Sequence, residues 1–531
     1  MKKISCISIA FWLISFALFA QTGSGPGHSP SINEFSASLS FLSSDWMEGR
    51  EAGARGGLMA ADYIASMMQT YGLTPCGDRH HRFYFQNFEV ISYKTVKSSF
   101  EFVRRSAFGT SGLLLSPGID YEITSGPDGT EAEAQVVFAG YGITAPDKAY
   151  DDYKGQDVSG RMVAVLDGFP GHSDTTSAAW KKFGKDSVEH YASVHRKVLN
   201  AEKHGAVALI LVSAKGNIIP YKKDLKNRDL LNSAMNSAKN QDPDYDDPDY
   251  ALPGDTANPG VPCFSLGRDA ARMLFAGTGI VLSDVAKKIA GDLLPATKAL
   301  ESKLIRFSVS VETKPFGVRN VMGMIRGKDS SRYIIIGAHY DHLGIRDKDI
   351  YNGADDNASG VSGMLALAKV WSEKSEQPPV NIIFAAWTAE EKGLLGSSYF
   401  VQNSKILPSQ TILYINMDMI SRSAPEDTAK RQLSIGTMPQ NDYLKKMATE
   451  INLRLARPFK LDLWDVTGHT GSDYDSFASG KIPVMTFFSG FHDDYHTIRD
   501  IAPKTDPVKM QDILRLVNSC LSETIEKSQG K

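Results

Sequence analysis

Tyr333-Ile-Ile-Ile-Gly-Ala-His339-Tyr-Asp341 is an apolar run of strand length that ends abruptly in an imidazole and a carboxylate. A strand that is nearly all apolar from Tyr333 to Ala338 belongs in a sheet covered on both faces. The surrounding text alternates in the same style. Val318–Ile325, Val380–Trp387, Thr411–Met417 and Ile482–Phe488 read as further strands, and Val361–Trp371 and Glu391–Val401 as helices. Strands alternating with helices predict an α/β fold, a mixed, largely parallel sheet with helices on both faces. Such sheets bind ligands beyond the carboxyl ends of their strands, so chemistry is sought there.

Each strand end carries polar residues that a bland reading explains only in part. His339 and Asp341, two apart in extended chain, point the same way, and a carboxylate beside an imidazole can fix its tautomer. Gly353-Ala-Asp355-Asp356-Asn357-Ala-Ser-Gly360 opens a helix, and Asp or Asn there caps it well, but one cap does not need Asp-Asp-Asn. Thr388-Ala-Glu390-Glu391 fits a capping box through Thr388 and Glu391, which leaves Glu390 unexplained. Two adjacent carboxylates repel unless a cation sits with them. Asp418, set between Met417 and Met419, needs a partner to offset its burial. Past Phe488, Phe491-His-Asp-Asp-Tyr495-His496-Thr497 offers two imidazoles, and spacing does not choose between His492 and His496.

Jointly, successive strand ends present His, Asp, Glu-Glu, Asp and His. Two imidazoles and three carboxylates suit two borderline divalent ions such as zinc with one carboxylate shared, and the lack of a Cys ligand argues against a structural zinc cluster.

On these residues the chain resembles the secreted di-zinc aminopeptidase family, whose relatives include glutamate carboxypeptidase and the transferrin receptor ectodomain. The matching text is Gly337-Ala-His-Tyr-Asp341, Asp355-Asp-Asn-Ala-Ser-Gly360, Trp387-Thr-Ala-Glu-Glu391, Asn416-Met-Asp-Met419 and Tyr495-His-Thr497, with Gly49-Arg-Glu-Ala-Gly53 near the start. The resemblance implies two zinc ions, one on His339 and the other on His496, with Asp356 bridging them and Glu391 and Asp418 each completing one. It implies Glu390 as general base, Asp341 as the carboxylate that orients His339, and Tyr495 as a hydrogen-bond donor to the developing oxyanion. Gly471-Ser-Asp-Tyr-Asp475 resembles a supporting segment, with Tyr474 where many relatives have His. The implied activity is hydrolysis of peptide substrates from a free amino terminus. Carboxypeptidases and dipeptidases share the ligand set, and the full set speaks against a single-zinc glutaminyl cyclase. A non-catalytic binding ectodomain is the rival from another class, and the intact ligands with Glu390 argue against it.

The rest of the chain sets the boundaries. Its 531 residues suggest two to four domains. With 58 basic against 61 acidic residues, it lacks the electrostatic footprint of a nucleic-acid or anionic-membrane binder. Lys2, Lys3 and the apolar run Ile4–Ala20 read as a secretory leader cleaved after Ala20, and the run is at the short edge for a membrane anchor. The expectation is an exported protein, periplasmic or secreted, without stable membrane insertion. Its oligomeric state is left open. The divisions are 1–20 signal peptide, 21–33 linker, 34–130 the first part of a peptidase domain, 131–285 an inserted β-rich module, and 286–531 the main part. The insert resembles a protease-associated domain through Ala139-Gly-Tyr-Gly142 and Gly205-Ala-Val-Ala-Leu209. Within it, Gln135–Tyr141, Arg161–Asp167 and Ala206–Val212 read as strands and Tyr191–His204 as a helix, while Lys222–Asp255 reads as a long exposed loop. The repeat Asp242-Pro-Asp-Tyr-Asp-Asp-Pro-Asp-Tyr250 offers oxygen ligands for calcium but lacks the glycine and final Glu of an EF-hand. Residues 34–72 read as helical, closed by Gly72. Beyond the leader, Cys76, Cys263 and Cys520 allow at most one bridge.

Overall fold

The computed structural model describes residues 30–78, 83–124, 126–172, 174–183, 191–214, 248–253, 260–466 and 471–528. The leader, most of the linker, and the Lys222–Asp255 loop apart from residues 248–253 lie outside the described residues, with all of the Asp-rich repeat but Pro248, Asp249 and Tyr250.

One 16-stranded sheet runs through the molecule. Its principal strands are β1 (Phe85–Ser106), β2 (Thr130–Ala139), β3 (Met162–Leu166), β4 (Ala208–Val212), β5 (Cys263–Leu266), β6 (Thr297–Ile325), β7 (Asp329–His339), β8 (Val380–Trp387), β9 (Thr411–Met417), β10 (Gln432–Thr437), β11 (Lys460–Asp465) and β12 (Val484–Phe488). In space the order is β11-β10-β12-β9-β7-β8-β6-β2-β3-β4-β5. The middle of the C-terminal part of the sheet is parallel, β8 with β7, β7 with β9, and β9 with β12. The sheet is mixed because β6 runs antiparallel to β8, and β10 antiparallel to β12.

The unbroken apolar strands face two cores. Ile334, Ile336 and Ala338 of β7 join Ile382, Phe384 and Ala386 of β8 in one, against the helices Gly360–Ser372 and Pro507–Ser528. Ile335, Ile383, Ala385 and Trp387 belong to the other, with Phe400 and Phe477 from the helices Leu395–Asn403 and Tyr474–Ser479. Each Ile or Phe among them, fully buried, contributes about 1.5–3 kcal/mol.

Strands β2, β3, β4 and β5 are mutually parallel. They join the rest through β6, whose residues Thr297–Val309 pair with β2 and whose residues Val321–Ile325 pair with β8. The core around β2–β5 draws in Phe100, Leu115 and Tyr121 as well as Ile305, Phe307 and Val309. The helix expected over Tyr191–His204 forms at Val194–Lys203.

Two helix expectations need correction. The span 34–72 holds two helices, Ile32–Leu42 and Arg55–Thr70, and the segment between them turns through Glu48, Gly49 and Arg50 at positive φ. Gly49 permits this because a Cβ there would lie 2.4 Å from the carbonyl oxygen of Gly344. The second helix does end before Gly72, at φ +73. The helix expected from Glu391 begins only at Leu395, for a reason that belongs to the site. Cys76, Cys263 and Cys520 are all buried and free. Among the described residues, no helix is long and apolar enough to cross a membrane.

Candidate metal centre

The ends of β7, β8, β9 and β12 converge at one edge of the sheet. His339 closes β7, and its Nδ1 lies 3.2 Å from the backbone oxygen of Asp341. A carbonyl only accepts, so Nδ1 carries a hydrogen and Nε2 faces the carboxylates, 3.3 Å from both Asp356 Oδ1 and Asp418 Oδ1. The other oxygen of Asp356 is 3.1 Å from Nε2 of His496, which in turn is 3.3 Å from Oε2 of Glu391. Despite that proximity, His496 Nε2 is buried without a hydrogen bond.

Local sequence explains why Asp356 is available. In Asp355-Asp356-Asn357 the outer two residues serve the fold. Asp355 accepts from the backbone and hydroxyl of Ser421, while Asn357 Oδ1 accepts from Gly360 N at the helix start and its Nδ2 donates to Met417 O. Asp500 receives the backbone N–H groups of Asp355 and Asp356, which leaves the Asp356 side chain free for the centre. His492 is turned away, 3.4 Å from Asp355, so the structure brings His496 and not His492 to the site.

The Glu390-Glu391 turn is not a capping box. Ala389, Gly393 and Leu394 take positive φ, and Asp341 accepts from Glu390 N at 3.2 Å and Glu391 N at 3.4 Å in place of helical bonds. The Asp341 carboxylate therefore props this turn, and its Oδ1 stands 3.9 Å from His339 Nδ1. Tyr495 stacks on His496 with ring centroids 3.9 Å apart and leans on Phe491. Tyr474 is buried with its ring edge-on to Trp464.

Sequence reasoning missed His342. Its Nδ1 lies 2.8 Å from Glu391 Oε1 and 3.8 Å from Asp356 Oδ2, so His342, Asp356, Glu391 and His496 form one potential cation group, and His339, Asp356 and Asp418 another. The signal was present as a third polar residue in the same loop, His339-Tyr-Asp-His342. Arg50 was also underrated. It is fully buried and donates to the backbone oxygens of Leu42, Tyr340, Asn352 and Gly353, while its own carbonyl accepts from His342 N. Gly49-Arg50 thereby staples the first helix to both ligand loops. Burial lowers the Arg50 guanidinium to about 10 against the pull of Asp356, Asp500, Asp341 and Glu391.

The electrostatics ask for positive charge. Burial opposes a charge on His339 and His496, yet the carboxylates outweigh it, Asp418 and Glu390 at His339, Glu391 and Asp356 at His496. His339 is held well above the ordinary imidazole range and His496 is pushed up to about 10. Burial also opposes ionisation of Asp356 and Glu391, but the imidazoles win and both stay below the usual carboxylate range. Glu390 goes the other way. Burial, with Glu391, Asp418 and Asp473 adding to it, raises it well above normal against His339. Burial first, then Asp341 and Asp418, push Asp473 up to about 7 against His339 and Ser397. Imidazoles that hold protons this firmly occupy positions where divalent cations compete with protons for the same lone pairs. Nitrogen and carboxylate donors without thiolate fit zinc.

Residues 320–521 match the family model for Peptidase family M28. A stretch of 146 residues is 34% identical to a glutamate carboxypeptidase 2 homolog of Caenorhabditis briggsae, covering 26% of this chain and 17% of that protein. Aminopeptidase YwaD of Bacillus subtilis (strain 168) is 27% identical over 253 residues, 46% of this chain and 51% of that protein. The chain thus spans at most about half the length of these curated relatives. The aminopeptidase from Aneurinibacillus sp. strain AM-1 shares the fold, with a TM-score of 0.56 and 20% identity over 93% of this chain and 94% of that one.

Proposed function

We propose, for a chain whose residues 320–521 match the model of peptidase family M28, that it is a zinc-dependent exopeptidase, an aminopeptidase acting on peptides with a free amino terminus. One observation carries the reading. A single carboxylate, Asp356, lies between His339 and His496 with one oxygen toward each. His339 and Asp418 would hold one zinc, Glu391 and His496 the other, with Asp356 shared and His342 against Glu391. When bound, the ions supply Lewis acidity toward the scissile carbonyl and a water acidified enough to attack it.

Glu390 takes the proton of the attacking water and returns it to the leaving amine. Burial and the neighbouring carboxylates raise its proton affinity, the direction that suits a group working as both base and acid near neutral pH. Asp341 fixes where Glu390 stands, through the backbone of the turn. Tyr495, against His496, donates its hydroxyl to the oxygen on which negative charge develops. Residues 34–130 and 286–531 form the peptidase domain and 131–285 a protease-associated-like insert. The leader and an exported location belong to the same reading.

A peptide library with free amino termini, run beside its N-acetylated twin with and without a chelator, tests it. Chelator-sensitive cutting of the free-amine set alone is expected. Equal cutting of both sets removes the aminopeptidase assignment. Loss of single carboxy-terminal residues instead gives this chain the activity in the Caenorhabditis briggsae relative's name.

A further inference from the structure

The turn that carries Glu390 and Glu391 has no regular secondary structure to hold it. On one side the Asp341 carboxylate takes its backbone N–H groups. On the other stands Lys392, the next residue, whose side chain is only 6% exposed. Its ammonium donates to Glu51 Oε1 at 3.0 Å and to the Tyr250 hydroxyl at 2.9 Å, and sits 4.1 Å from the centre of the Tyr250 ring. Glu51 belongs to the entry segment, but Tyr250 comes from the insert. It lies in the short strand Asp249–Ala251, antiparallel to β1 at Ile91–Tyr93. The next residue, Leu252, is buried in a cluster with Ala52, Phe88 and Val318 that also takes in Ala389 and Leu395, one from each end of the turn.

We infer that Tyr250 is a positioning residue, through which the return strand of the insert holds Lys392 and thereby sets the direction of Glu390 and Glu391. This rests on the proposed roles of Glu390 as base and Glu391 as ligand. A buried ammonium with two fixed acceptors leaves its backbone little freedom. With the Tyr250 hydroxyl gone, Glu51 alone holds the charge, and Glu51 is shared with Arg346 at 3.5 Å. The insert is then part of the catalytic apparatus rather than an appendage to it.

Tyr250→Phe, Lys392→Met and the double variant test this in the full chain loaded with zinc or cobalt(II). Tyr250→Phe keeps the ring and its packing, so the melting temperature should hold while kcat falls roughly tenfold, the scale seen when a group behind a metal ligand is lost. KM stays near its starting value, and the visible absorption of the cobalt protein shifts. Because Tyr250 acts through Lys392, the double variant should be no slower than Lys392→Met alone. Independent, multiplying losses, or a Tyr250→Phe protein with unchanged kcat and cobalt spectrum, overturn the inference while leaving the metallopeptidase reading intact. A wild-type protein that takes up no cobalt overturns that reading and this inference together.

Discussion

Asp356 presents Oδ2 3.1 Å from Nε2 of His496, on the side of its carboxylate opposite the oxygen that faces His339. Asp356 belongs to both the His342–Glu391–His496 group and the His339–Asp418 group. If it is the shared ligand, Asp356→Ala empties both positions at once. Elemental analysis should fall from two zinc ions per chain toward none, and turnover should fall to background. The same truncation at Asp418 should cost one ion only. A variant at position 356 that still holds two ions refutes the bridging role.

Glu390 is half-buried and stands within ligand distance of His339 and Glu391. Glu390→Gln keeps size and hydrogen-bonding capacity but cannot take a proton. Metal content should stay at the wild-type level while kcat drops by about 10²–10⁴-fold, the usual contribution of general base catalysis. Retained turnover would pass the base role to another group.

The apolar strands were readable because burial on both faces leaves their positions no polar alternation, and Val380–Trp387 and Thr411–Met417 appear with the expected bounds. The polar residues just past them were readable as a site for the same reason, since they have no place in those cores. What local pattern hid was decided by distant partners. Thr388 and Glu391 spell a capping box, but Asp341, 50 positions earlier than Glu391, claims the backbone of the turn and delays the helix to Leu395. The 29 residues of β6 showed only at their buried end, because Glu301, Glu312, Lys314 and other exposed residues mask the rest. Nothing in the local sequence marks Lys392, because Glu51 and Tyr250, which close around it, lie far away in the chain.

His342 reaches Glu391 Oε1 at 2.8 Å, and its own backbone N–H is fixed by Arg50. His342→Ala leaves that oxygen of Glu391 without its donor, so the ion shared by Glu391 and His496 should bind about 10–100-fold more weakly while the other is kept. Stepwise removal by a graded chelator series, with the residual zinc counted at each step, separates the two. Simultaneous loss of both ions would show that His342 supports the whole centre.

Asp494 ties down the loop that carries His496. Its carboxylate accepts from Arg422 at 2.8 Å, Arg499 at 2.7 Å and Lys504 at 2.8 Å. Burial would raise its pKa, but the hydrogen bonds from Lys504, Arg422 and Arg499 outweigh burial and hold the group well below the usual carboxylate range. A folded-state pKa below the unfolded one means that the unfolded chain binds the extra proton first. The stability is therefore complete above about pH 4, the ordinary Asp pKa, and drains away as pH falls below it. Asp494→Asn should cost about 2 kcal/mol at neutral pH, the worth of hydrogen bonds to a charged group. Toward pH 2 the cost should shrink, as wild type loses the same charge. Thermal melts of both proteins across that range read it directly, and a gap that stays constant into acid would mean that the Asp494 charge does not secure the loop.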